Sequence, residues 1–195
     1  MMTAEIIQRL TALGAGGIEN NKDDFQSFWQ PIIWNQFVYP KDWDYYGLAD
    51  FYQQHIELHQ SAKKQFNDAL IAHYFTPSEN YFGQHVKTYD LFAPFNPSNT
   101  HFGSLDGLIE PEELKVLVDG NALAFIPVFE TASFPNLYFV CASDPNPENP
   151  TLYSTDHETF FQEIEAEGNF ADFLNHYLTK AEFLVYAEQY IQEIK

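Results

Sequence analysis

The sequence predicts a single α+β domain. Two strand-like runs rich in apolar and aromatic residues lie in the second half of the chain, at 122–130 and 136–143. Apolar residues at helical spacing mark residues 48–74 and return over 169–194. The chain has 195 residues, of which 45% are apolar and 17% aromatic, and this is enough buriable surface for one compact, folded domain.

The first part of this domain, residues 1–105, is predicted to consist mainly of helices and loops. A short helix is expected over 2–13, because glycines follow its last apolar residue. The longest helical pattern, 48–74, contains no Gly or Pro and predicts one long helix with a slight break near 55–59. Loops follow it, with one short strand near 85–89.

The second part, residues 106–195, is predicted to hold the sheet and the C-terminal helices. A short helix is expected over 108–118, with Pro111 in its first turn. Only five residues, 131–135, separate the two strand-like runs, so the runs should pair as antiparallel neighbours joined by a turn at 131–135. Pro127 cannot donate a hydrogen bond to a ladder, so the first strand should be an edge strand or contain a bulge.

Beyond these strands, the loop 144–150 contains three prolines and should be stiff and exposed. A third short strand begins at Leu152 and leads into an acidic connection. Asn169 is a good N-cap for a helix over 169–178. A final helix is predicted over 179–194.

The charge of the chain is strongly and unevenly negative. The net charge is −19, from 28 acids against eight Lys and a single Arg, and the stretch 116–179 holds ten acids and no Lys or Arg. Binding to nucleic acid or to an anionic membrane needs clustered cations. Because this chain has so few, the sequence predicts neither kind of binding. A basic protein is the natural electrostatic partner, and the alternative is that the charge only keeps the chain soluble.

The cysteine content and the N-terminus indicate a cytoplasmic location. Cys141 is the only cysteine, so no intramolecular disulfide can form, and its place in an apolar run predicts a small buried side chain. Glu5 interrupts the apolar core that a signal peptide needs. No apolar run approaches the roughly 20 residues of a membrane span.

Two histidine patterns could form chemical sites. His55 and His59 share a helix face and could bind zinc, but the zincin pattern places a Glu directly after the first His, whereas here Glu57 follows one residue later. Packed histidines are therefore favoured. His157, between two acids, could act as a base, although a structural or partner-facing role is favoured there as well. The sequence predicts no catalytic residue, no metal site, no cofactor and no enzymatic activity.

Three segments of the second half resemble the SUKH superfamily, which includes the yeast glucan-synthesis regulators and many bacterial immunity proteins. They are ALAFIPVFE at 122–130, NLYFVCASDPNPENPTLYSTDHE at 136–158 and NFADFLNHYL at 169–178. The resemblance covers 122–178, in the C-terminal half only, and residues 20–105 depart from the family pattern.

This resemblance implies a central, largely antiparallel sheet flanked by helices, and a non-enzymatic role. Bacterial relatives bind a toxin and neutralise it. The implied partner is therefore a cognate toxin, and this toxin could be a nuclease. The candidate partner-binding residues are acids together with one aromatic that could serve as an anchor: Asp144, Glu148, Tyr153, Asp156, Glu158, Glu163, Glu165 and Glu167. Two alternatives stay open: a regulator or scaffold of cell-wall or glucan metabolism, and a hydrolase that uses carboxylates or the two helical histidines.

Overall fold

The protein is an α+β structure, as the sequence predicts. The computed structural model describes residues 2–18, 24–29, 32–41, 47–76, 91–98, 103–130 and 136–195. Within these residues, eight helices surround three antiparallel sheets, and helices dominate the part before residue 77.

The elements alternate irregularly between helix and strand along the chain. The helices are α1 Ala4–Ala12, α2 Phe25–Trp29, α3 Leu48–Gln54, α4 Ile56–Ser61, α5 Lys63–Phe75, α6 Pro111–Leu117, α7 Phe170–Leu174 and α8 Lys180–Glu193. The strands are β1 Ala15–Gly16, β2 Ile33–Trp34, β3 Tyr39–Pro40, β4 Phe125–Glu130, β5 Leu137–Cys141, β6 Thr151–Thr155, β7 Glu165–Asn169 and β8 Tyr177–Leu178.

The main sheet has four strands in the order β4-β5-β6-β7, all antiparallel. The predicted pairing of the first two strand-like runs is confirmed, with Ile126 opposite Val140. The register shifts between Pro127 and Phe129, which is the irregularity that the proline predicts. The third predicted strand is confirmed as β6.

The fourth strand, β7, corrects the prediction of an acidic connection between the third strand and the closing helix. Its sequence, EAEGN, has no apolar pattern and includes Gly168, so strand propensity is low. Pairing with β6 nonetheless holds it extended, with Thr151 opposite Asn169 and Ser154 opposite Glu165. Tertiary pairing has overridden the local signal.

The main sheet is apolar on both faces, because successive side chains of a strand point to opposite sides. On one face, Ile126, Val140 and Leu152 pack with residues of α1, α2 and α7. On the other face, Phe139 and Tyr153 pack with α6 and the loops around it. Cys141 shares this second cluster and is fully buried, as predicted. Each face therefore needs its own cover.

A third, largely aromatic cluster joins α3, α5 and α8 to β3. The prediction of one long helix over 48–74 is wrong, because the chain breaks at His55 and again at Ala62. The first break lies where a slight one was expected, and the His55 ring nitrogen Nδ1 lies 2.9 Å from the Phe51 carbonyl oxygen at the end of α3. The breaks let Phe51 and Phe66 pack on the same cluster, with their ring centroids 5.7 Å apart.

The closing helix is shorter than predicted. Asn169 caps it as expected, since its Oδ1 accepts a hydrogen bond from the Asp172 amide at 2.9 Å. The helix ends at Leu174, because Leu178 pairs with Tyr39 in a short antiparallel sheet. The final predicted helix is confirmed as α8, and the helix with Pro111 at its start is confirmed as α6.

Some predictions fall outside the described residues, among them the strand near 85–89 and the turn at 131–135. In the ranges that the structure does describe, no helix is both long and apolar enough to cross a membrane.

Arg9, the single arginine of the chain, ties α1 to the C-terminal elements. Its Nη1 donates to Glu182 Oε1 at 3.0 Å, its Nε donates to the Leu174 carbonyl at 3.4 Å, and its Nη2 donates to the Tyr177 carbonyl. Burial works to raise the pKa of Glu182, but the hydrogen bonds from Arg9 and Thr179 outweigh it and lower the pKa to about 2.

This ion pair predicts a pH-dependent stability. The Glu182 pKa is depressed in the folded state relative to its ordinary value of 4.5, so the contribution is complete above about pH 4.5 and is lost as pH falls toward 2. Because the Glu182 side chain is 40% exposed, solvent screening limits the contribution to about 1–2 kcal/mol. Urea unfolding of Glu182→Gln should show that loss at pH 7 and almost none near pH 2.

The glutamine variant keeps the capping box with Thr179, so the comparison isolates the charge. Glu193→Gln, at the exposed end of α8, is the control and should not change the free energy of unfolding at either pH. An equal loss in Glu182→Gln at both pH values would show that the ion pair is not its origin.

Candidate functional site

Of the eight predicted partner-binding residues, Tyr153 lies within β6, and the seven acids lie in two groups, one before this strand and one after it in the chain. Asp144 and Glu148 lie in the loop before this strand, and Asp156 lies immediately after it. The strand spans five residues, so Asp144 and Asp156 are roughly 13 Å apart or more along it. Closeness in sequence therefore does not bring all the predicted acids into one continuous surface.

Asp144 is a structural residue in this geometry. It is 7% exposed, and its carboxylate accepts hydrogen bonds from the Asn146 amide at 2.7 Å and the Thr151 amide at 3.0 Å. These contacts close the proline-rich loop onto the start of β6. Glu148, in the same loop, has an exposed side chain, while its carbonyl accepts from the Thr3 amide at 3.2 Å.

Tyr153 is also buried, at 2% exposure, so its ring lies in the core rather than at the surface. Its hydroxyl oxygen accepts a hydrogen bond from the Asp119 amide at 2.8 Å, which fixes the turn after α6 against the sheet. Burial raises the pKa of the Tyr153 phenol. In this structure its aromatic ring stabilises the fold and is not presented to a partner.

The remaining five acids form what we call the acidic face, made of β7 and the loop that precedes it. Glu158, Glu163, Glu165 and Glu167 are exposed and Asp156 is partly exposed. The face lies on the edge strand of the main sheet, and therefore on a rigid support. Its acids have this order along the chain: Asp156, Glu158, Glu163, Glu165 and Glu167.

A cavity of about 220 Å³ opens on the acidic face. This volume exceeds the roughly 30 Å³ share of one water several times, so the cavity has room for a side-chain head group. It is lined by carboxyl, hydroxyl and amide side chains: Asn136, Ser154, Thr155, Asp156, Thr159, Glu163 and Glu165. Among the described residues, this lining includes no Lys or Arg, and the Thr159 Oγ1 has no hydrogen-bond partner.

The loop that carries these acids is held by Phe161, whose role the sequence did not reveal. Phe161 is fully buried beside Phe125 and Phe139, and its amide donates to Thr155 Oγ1 at 2.7 Å. Its backbone φ is +58°, a conformation that non-glycine residues rarely adopt. The nearest acids on either side, Glu158 and Glu163, are exposed while this ring is buried. The only sequence signal was an aromatic pair within an acidic stretch, Phe160 and Phe161.

The acids on β7 are positioned by the strand itself. Ser154 Oγ, on the neighbouring strand, donates to Glu167 Oε1 at 2.6 Å. The register shift between β6 and β7 lies between Leu152 and Tyr153, opposite Glu167. The bulge and the serine therefore hold the Glu167 carboxylate against the sheet, whereas Glu165 lines the cavity.

The two helical histidines have separate partners. His55 bonds to the backbone at the end of α3, whereas His59 Nε2 lies 3.2 Å from Glu188 Oε2 and 2.7 Å from Lys63 Nζ. Burial works to raise the pKa of Glu188, but the hydrogen bonds from Lys63 and His59 outweigh it and lower it. Over the ranges that the structure describes, no group of three or more His, Cys, Asp or Glu is arranged to hold a metal ion.

His157 lies at the margin of the acidic face. Its Nδ1 is 3.5 Å from Asp156 Oδ1, and the two side chains are 38% and 45% exposed. Asp156 Oδ1 also accepts from the Glu158 amide at 2.7 Å, which tightens the turn after β6. This contact is a solvent-facing pair within a turn.

Comparison of the chain with protein-family models, with curated proteins and with solved structures gave no match.

The different environments of Asp144 and Glu148 yield a prediction on stability. Asp144→Ala removes a buried carboxylate that accepts from two part-buried amides and should lower the free energy of unfolding by about 2–3 kcal/mol. Glu148→Ala, in the same loop but exposed, should change it by less than about 0.5 kcal/mol. Urea unfolding at pH 7 measures both, and equal effects would contradict the structural role of Asp144.

Proposed function

We propose that this protein is a non-enzymatic binding protein whose acidic face binds a basic protein partner, and that this partner is a bacterial toxin that it neutralises. The observation that carries the proposal is the cavity on the acidic face. Three carboxylates, those of Asp156, Glu163 and Glu165, meet there, and no Lys or Arg lines the cavity within the described part of the chain. Such a cavity favours a Lys or Arg side chain of a partner.

The surrounding surface favours the same partner chemistry. In the described residues β7 pairs with β6 and with no other strand, so it lies at the edge of the main sheet. An open edge can accept an added strand, but the acids on β7 repel a second copy of the same edge. A basic segment is the complement that this edge admits.

A toxin that cleaves nucleic acid fits this chemistry. Its substrate-binding surface must be cationic, because it contacts phosphates. An acidic inhibitor can cover that surface and associate quickly, since opposite charges steer the encounter. The net charge of −19 and the resemblance of 122–178 to the SUKH immunity proteins both support the assignment.

The test is binding to the protein encoded beside this one, measured by calorimetry at low and at high salt. Binding should weaken as salt rises, because screening acts on exposed charges. The double variant Glu163→Gln/Glu165→Gln should lower the affinity at low salt by roughly tenfold. The matched control, Glu57→Gln/Glu193→Gln, removes the same charge from exposed positions elsewhere and should leave the affinity nearly unchanged.

Two results would count against the proposal. If the neighbouring protein does not bind at low salt, the toxin assignment fails. If both double variants lose affinity equally, net charge rather than the acidic face drives binding. A partner that belongs to cell-wall metabolism would instead favour the scaffold alternative.

A further inference from the structure

A groove beside α6 exposes apolar side chains, and none of its lining residues belongs to the acidic face. It has a volume of about 620 Å³ and is lined by Leu108, Ile109, Glu113, Val116, Leu117 and Gln162. Val116 is 85% exposed, Leu108 52% and Leu117 43%. Single exposed apolar residues are common on proteins, but a contiguous set in a groove marks a binding surface.

Exposed large apolar side chains are concentrated at this groove and are not spread evenly over the surface. Among the described residues, eight large apolar side chains are more than a third exposed, and three of them line this groove. The inner side of α6 is packed normally, since Leu114 is fully buried against the main sheet. Ile109, 8% exposed, forms the floor. The helix is therefore held firmly, while its outer apolar side chains are exposed in the part of the chain that the structure describes.

The segment that forms the groove is acidic. Glu113 lines the groove, and residues 106–117 contain three further exposed acids and one base, Lys115, whose Nζ lies 4.0 Å from Glu112 Oε1; we call this acidic segment the rim. The groove also adjoins the acidic face, because Gln162 lines the groove and the next residue, Glu163, lines the cavity. A ligand for this groove must combine apolar side chains with positive charge.

We propose that this groove binds a cationic amphipathic segment of a protein partner. One or two apolar side chains of that segment pack on Leu108, Val116 and Leu117, while its Lys or Arg side chains face the acidic rim. The inference goes beyond the toxin-binding role, since it depends only on the groove and its rim. It also supplies the apolar anchor site that the buried ring of Tyr153 does not.

The negative charge of the rim disfavours other ligands of the groove. Two copies related by a twofold axis would bring the same patch face to face and so oppose their acidic rims. Phosphates of a nucleic acid or of an anionic lipid surface would meet the same repulsion. A cationic segment alone has both the apolar and the electrostatic complement.

The test uses a labelled amphipathic peptide of about four helical turns made only of Leu and Lys, titrated against the whole protein at about 150 mM salt by fluorescence anisotropy. Val116→Ser should weaken binding by about tenfold, because a buried valine contact is lost. The matched control is Val185→Ser, at a valine that is 60% exposed on α8, and it should change the affinity by less than about twofold.

Three further measurements complete the design. A peptide of the same length made of Leu and Glu should not bind. The Glu163→Gln/Glu165→Gln variant should retain most of the peptide affinity, so failure of the acidic-face proposal and failure of this one give different results. Peptide-induced shifts of backbone amide resonances should concentrate over 108–117.

Several outcomes overturn the proposal. Equal affinities of the two serine variants would show that the groove is not the site, and so would resonance shifts confined to the acidic face. Binding of the Leu and Glu peptide would remove the role of charge. Sedimentation of a dimer that Val116→Ser dissociates would assign the groove to a second copy. Absence of binding of the Leu and Lys peptide would also overturn the proposal.

Discussion

The main sheet of this protein has two apolar faces, and this constraint organises the rest of the structure. A sheet that is apolar on both sides cannot leave either one in water, because each exposes large aliphatic and aromatic side chains. The helices α1, α2 and α7 cover one face, while α6 and the loop around Phe161 cover the other. The third cluster, formed by α3, α5 and α8, is joined to this body through β3 and β8.

The same constraint creates the acidic face. The loop after β6 must place Phe161 over the second face of the sheet, and it adopts a left-handed backbone there to do so. The acids nearest to Phe161 in sequence, Glu158 and Glu163, are exposed on the outer side of this loop. Tyr153 points into the core for the same reason, which is why the most prominent aromatic of the predicted site supports the fold instead.

Three of the nine Lys and Arg residues form ion pairs in the helical part of the structure. Arg9 pairs with Glu182, Lys63 pairs with Glu188, and Lys64 lies 2.6 Å from Asp68. These pairs lie in the helical part and in α8, away from the edge strand β7. In the described part of the chain no Lys or Arg lines the cavity, so its acids keep their negative potential, and Glu113 places further negative charge at the α6 groove.

Residue patterns alone were sufficient for the α+β class, the pairing of the first two strands, the irregularity at Pro127 and the cap at Asn169, because these depend on local spacing and chemistry. They also located the acidic segment that carries the cavity. Only tertiary contacts decided that EAEGN is a strand, that Asp144 is buried and that Val116 is exposed. Each of these depends on which residues from elsewhere in the chain pack against the position. The local sequence does not specify those residues.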